Sequence, residues 1–182
     1  MQSPGRPTDN PISPNVSPPV LWIKDNPAPF NLHELPNDCS HESYHDFRRN
    51  AMKQREQSTV NTDQLDMQSL YGFWAHFLIR NFNARMYQEF KGLAFEDAER
   101  GSTSGKKSLL QYYNESILSQ KTIADDNIAR DFVELVKSER SNAERPAFNK
   151  LRAVWRNGAF NMKNRHKLTK FIDAELNMEL ER

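Results

Sequence analysis

The chain has 182 residues, 37% of them hydrophobic and 27% charged, with a formal net charge of +1. A mean hydropathy of -0.85 leaves enough apolar material for one core and places part of the length outside it. A single cysteine excludes an internal disulfide framework, no apolar run approaches the roughly 20 residues a membrane-spanning helix needs, and no basic-then-apolar signal pattern opens the sequence, so a soluble cytoplasmic protein is expected.

Nine of the ten prolines lie within residues 1–40. Rings that fix φ and remove N–H groups oppose both helix and sheet, so 1–40 is expected to be a disordered Pro-rich tail and 41–182 the folded domain. Inside the tail, residues 20–36 are locally richer in apolar side chains, with Leu21, Trp22, Ile23, Phe30 and Leu32. Two readings stand: an extended peptide that docks in a groove, or a linker with chance apolar content. Cys39, His41 and His45, with His33 upstream, offer zinc-type ligands, but their spacing is not that of a standard finger. No metal or other cofactor is expected.

From Ser43 onward glycine and proline nearly vanish and apolar residues follow a 3.6-residue period, which predicts an all-α domain. The expected helices cover 43–56, 62–82, 83–99, 106–119, 123–141, 147–156 and 166–181. Asn83 and Asp125 or Asp126 are expected to start helices, and Gly101, Gly105 and Gly158 to stop them or form turns. In the second helix Met67, Leu70, Tyr71, Trp74, Phe77, Leu78 and Phe82 form one face directed at the core, with Gly72, His76 and Ile79 opposite. Phe73, Tyr87, Phe90, Tyr112 and Tyr113 are also read as packing residues.

A repeat underlies this periodicity. Leu70, Phe73 and Trp74 correspond to Leu109, Tyr112 and Tyr113 in the next unit, and more weakly to Leu151, Val154 and Trp155 in a third. Periods near 40 built from paired helices mark HEAT-type repeats, whose stacking buries a continuous core. The expected architecture is three HEAT-like helix-hairpin repeats in a right-handed helical solenoid, preceded by the Pro-rich tail.

Residues 67–101, MQSLYGFWAHFLIRNFNARMYQEFKGLAFEDAERG, together with YHDFRR at 44–49, resemble the C-terminal DM-fifteen repeat region of La-related protein 1. The similarity is dense from about His41 to Tyr113 and thinner beyond. The resemblance implies a three-repeat helical module that binds the 7-methylguanosine cap and first nucleotides of certain messenger RNAs and represses their translation. In that family the methylated base stacks between two tyrosines, in the second and third repeats, and the first nucleotide stacks on an aromatic in the first. Here the first-repeat position is His76, flanked by Gly72 and Ile79 where the family has arginines. The second-repeat tyrosine falls on Glu115, its supporting arginine on Gln111, and the guanine-reading glutamate on Leu118. In the third repeat, Arg156 and Asn157 are both non-aromatic. The resemblance therefore implies a kept frame with a degenerate cap pocket.

Between Glu144 and Asp173 there is no carboxylate, while Arg145, Lys150, Arg152, Arg156, Lys163, Arg165, Lys167 and Lys170 fall there with His166. Such a stretch attracts polyanions, although Phe148, Trp155 and Phe171 sit at core spacings. The candidate nucleic-acid-binding residues are His76, Arg80, Arg152, Arg156, Lys163, Arg165 and Lys167. Arg48 and Arg49 either contact phosphates or pair with Glu96, Asp97 or Glu99. No phosphate loop, nucleophile elbow or metal-binding His-Glu motif is present, so an enzyme is not expected. Two function classes follow: a non-catalytic RNA-binding module acting in translational control or messenger RNA stability, with RNA and translation-related proteins as partners, or a protein-protein interaction scaffold that retains the fold without cap binding.

Overall fold

The computed structural model describes residues 43–57, 65–140, 144–158 and 160–182, and every regular element among them is an α-helix. In chain order these are α1 (Tyr44–Gln57), α2 (Leu65–Arg80), α3 (Ala84–Glu99), α4 (Ser104–Leu118), α5 (Asp126–Ser138), α6 (Pro146–Asn157), α7 (Met162–Thr169) and α8 (Ala174–Glu181). The first six match the expected helices with small boundary shifts. The seventh does not: in place of one helix over 166–181 there are two, α7 and α8, separated by a cap. Asp173 accepts a hydrogen bond from the Leu176 amide at 2.8 Å and starts α8, just as Asn161 accepts from Lys163 at 2.9 Å and starts α7. The tail, the segment 20–36 and the zinc-type residues His33, Cys39 and His41 lie outside the described residues; His45 is exposed on α1.

The other ends follow their residues. Asn83 caps α3 through the Met86 amide at 3.0 Å, and Asp125 caps α5 through the Asn127 amide at 2.9 Å. Pro146 opens α6, where it forfeits only an N–H that no helical carbonyl awaits. The next two amides, of Ala147 and Phe148, donate to the buried carboxylate of Glu139 at 2.9 and 3.0 Å, so the end of α5 caps the start of α6. Gly158 ends α6 at φ 61, and Gly101 follows α3 at φ 95. Gly105 is no stop. It lies buried inside the first turn of α4, where a Cβ would come within 2.8 Å of the Ala94 Cα and 3.0 Å of the Tyr71 ring.

His45–Arg182 form one compact unit. Helix α4 packs against α2, α3, α5 and α6, and α5 packs against α6 and α7, while α8 covers α6. One row thus runs α2, α4, α6, and behind it α3, α5, α7, the stacked hairpins of a HEAT-like solenoid. Leu70 and Trp74, Leu109, Tyr112 and Tyr113, and Leu151, Val154 and Trp155 are all buried on the row helices, while Phe73, the first-unit counterpart of Tyr112 and Val154, is half-buried. An aromatic chain carries the core across units, from Trp74 to Phe90 at 5.6 Å, to Tyr112 at 6.2 Å, and through Tyr113 to Phe132 at 5.6 Å between ring centroids.

Four expected core residues lie outside the buried core. Phe82 is 41% exposed because α2 ends before it, and Phe73, Phe77 and Phe171 are half-buried, Phe77 stacked on Phe73 at 5.2 Å. The core also holds charge. Tyr71 donates to Asp97 at 2.5 Å, and Arg55 bridges Asp97 and Glu96, each at 2.8 Å. Arg55 therefore makes the ion pairs that are one of the two alternatives for Arg48 and Arg49, which pair with Glu89 and Asp46. Among the described residues no helix is long and apolar enough to cross a membrane.

Candidate nucleic-acid interface

The carboxylate-free stretch contributes α6 and α7, which carry its cations at one end of the solenoid. Packing then sorts them. Arg145 pairs with Glu179 at 2.8 Å, Lys167 with Asp126 at 2.5 Å, and Lys170 reaches the same Asp126 at 3.8 Å. The Lys167 ammonium also donates to the Ala124 carbonyl at 2.7 Å. Its hydrogen bond, aided by the Lys167 and Lys170 charges, holds the Asp126 carboxyl below the usual carboxylate range against the opposing effect of desolvation. Lys167 is thus a clamp between α7 and the start of α5. Beside it Asn164, fully buried, accepts from the Ala124 amide at 3.0 Å and donates to the Ile117 carbonyl at 3.0 Å.

Lys150, Arg152, Arg156, Lys163 and Arg165 are different. Among the described residues no carboxylate forms an ion pair with any of them, and Lys150, Arg156 and Lys163 are exposed. Asn149, Arg152, Ala153, Arg156 and Asn157 line a surface depression on the outer side of α6. The buried Nε of Arg152 has no hydrogen-bond partner there, and one Arg156 nitrogen donates to the Glu181 carbonyl at 3.1 Å. The Arg165 guanidinium lies over the rings of Trp155, at 4.9 Å, and Phe160, at 5.9 Å.

His76 and Arg80 are exposed on α2, at the far end of the row from α6. The repeat offset makes Glu115 on α4 and Asn157 on α6 the counterparts of His76. Gln111 donates to Glu115 at 2.8 Å, so the middle helix presents a tied carboxylate at this level. Gly72 has open space where its side chain would begin. Of the three counterpart positions His76 alone carries a ring, an imidazole; Glu115 and Asn157 carry none.

Of the seven candidate residues the fold brings Arg152 and Arg156 together at one depression on α6, sets Lys163 and Arg165 on α7, ties Lys167 into a clamp, and leaves His76 and Arg80 apart. Asn149 and Asn157, which flank the arginines at i−3 and i+1, were not singled out as ligands; their only sequence signal is a shared helical face with Arg152 and Arg156. The family model described as the LARP1 HEAT repeat region matches residues 30–181, and the chain belongs to that family.

Proposed function

From membership of the LARP1 HEAT repeat region family, we propose that this protein is a non-catalytic RNA-binding module whose phosphate contacts run over the α6–α7 surface, acting in translational control or messenger RNA stability in the cytoplasm. The observation that carries this reading is the group Lys150, Arg152, Arg156, Lys163 and Arg165, cations that no carboxylate offsets among the described residues. Planar guanidinium forks suit phosphate oxygens, and released counterions supply sequence-independent affinity. Cap recognition is lost in this reading. Glu115 and Asn157 stand without a ring at the second- and third-repeat positions, where the methylated base would be sandwiched, and a carboxylate attracts a cationic base without stacking it.

The test is binding of the purified chain to capped, uncapped and scrambled short RNAs across a salt series. Cap-independent binding that weakens steeply with salt is the expected result. Charge reversal at Arg152, Arg156 or Lys163 should lower both affinity and salt slope. No binding at low salt sinks the proposal, and tight discrimination for the cap overturns its account of the stacking positions.

A second reading, a protein-protein interaction scaffold, draws support from exposed apolar side chains at Ile123 (48% exposed) and Met162 (73% exposed), near the α4–α5 connection and on α7. A chain that binds no RNA but captures a translation-related protein, and loses it on Met162→Asp, favours that reading.

A further inference from the structure

Two arginines of the basic end lie over aromatic rings, and they differ in what else holds them. Arg145 covers Phe148 at 3.8 Å and is paired with Glu179 at 2.8 Å, so its charge is spent within the fold. Arg165 covers Trp155 and Phe160, whose centroids are 6.2 Å apart and which are only 8% and 5% exposed, yet no carboxylate pairs with it among the described residues. The two buried rings supply a fixed floor for a guanidinium that is itself half-buried. The same two helices carry exposed cations, Lys163 on α7 and Arg156 on α6.

A guanidinium laid on an aromatic surface is ordered before any ligand arrives, and its outer π-face stacks well on a nucleobase. Lys163 and Arg156, exposed on the same two helices, are available to the strand's phosphates. In a duplex every base face is already covered by its neighbours, so this platform suits only unpaired bases. We propose that Arg165, carried by Trp155 and Phe160, is a stacking platform for an unpaired base, and that the RNA taken by this surface is single-stranded. This rests on the RNA-binding reading above and adds what part of the RNA the surface engages.

The experiment measures fluorescence anisotropy of three labelled RNAs with the full chain: a short mixed-sequence single strand, the same strand with abasic sites, and its duplex. Wild type is expected to favour the base-bearing single strand over the abasic strand by about fivefold or more, the scale of one stacked base. Arg165→Lys keeps the charge but loses the plane, so the salt slope stays while the preference for bases collapses. Lys163→Glu serves as the phosphate control, and thermal melts of both variants register any loss of folding. The wild-type comparison of base-bearing and abasic strands needs no variant at all. A wild type that binds the duplex or the abasic strand as tightly as the base-bearing strand overturns the inference, as does an Arg165→Lys variant with the wild-type preference. If Lys163→Glu still weakens binding in that case, the phosphate-binding function survives and only the platform falls. Absence of RNA binding by wild type removes both.

Discussion

Replacing Asn164 with alanine takes away a fully buried amide that joins α7 to the connection between α4 and α5. The Ala124 amide and the Ile117 carbonyl lose their partner while still shut off from water. Each such orphan costs about 1–3 kcal/mol, so a loss of roughly 2–4 kcal/mol in urea unfolding is expected. Asn164→Asp keeps an acceptor for Ala124 and, while its carboxyl is protonated, one O–H for Ile117. It should lose less than alanine at low pH and more as the carboxyl ionises against that carbonyl. Tyr87 makes a related case. Burial first, then the Asp131 and Tyr113 contacts, push its phenol far above the ordinary tyrosine value, so its proton stays on and is donated to Asp131 at 2.6 Å. Burial opposes the charge on Asp131, yet hydrogen bonds from Lys91 and Tyr87 outweigh it and hold the carboxyl low. Tyr87→Phe should therefore cost about 1–3 kcal/mol in the same measurement, and Tyr113→Phe, which loses only a bond between two hydroxyls at 3.0 Å, should cost less. None of these partners is local in sequence. A linear reading finds the cations of 145–172 unopposed, and only folding brings Asp126 onto Lys167 and Glu179 onto Arg145.

Helix existence was legible because apolar spacing in 67–78 and 109–117 matches what the fold buries. Two features escaped for opposite reasons. The break between α7 and α8 was written in Asn161 and Asp173, ordinary capping residues that periodicity over 166–181 overrode. The place of Gly105 was not written locally at all, since what demands glycine is the approach of Ala94 and Tyr71 from other helices. Gly105→Ala must push α4 off backbone it touches, and a loss of about 1–3 kcal/mol is expected in thermal or chemical unfolding. The Asp173 cap makes a pH-dependent contribution. Its hydrogen bond from the Leu176 amide, and then Lys137 and Arg140 beside it, draw its carboxyl down to about 2, below the ordinary value near 4 for an unfolded aspartate. The carboxylate's contribution is therefore complete above about pH 4 and disappears as pH falls from about 4 to about 2. An Asp173→Asn variant still caps α8 through its side-chain carbonyl but forms no ion pair with Lys137 or Arg140, so the wild-type advantage in urea midpoint should shrink across that window and vanish below it.

On the scale of the molecule, stacking in HEAT-like units turns one helix face of each repeat into a track, and what the track binds depends on the charge met along it. His76 and Arg80 stand at the α2 end, and the unopposed cations gather at the α6–α7 end. Between them α4 presents Glu115, tied in place by Gln111. On the proposed RNA-binding reading, a carboxylate there repels a phosphate chain passing from one end to the other, which would confine a bound strand to α6–α7 and leave Arg80 a minor contributor. Glu115→Lys reverses that barrier. If the barrier is what limits the footprint, the variant should bind longer strands more tightly and steepen the salt dependence by roughly 0.7 in logarithmic slope for each phosphate newly engaged. Arg80→Glu should then have a larger effect in the Glu115→Lys background than alone, because only there does the strand reach α2. Salt titrations of the two single variants and the double variant, with one RNA long enough to span the row, measure that coupling. A slope unchanged by Glu115→Lys would mean that the strand leaves the row before α4, making the α6–α7 end the whole of the interface.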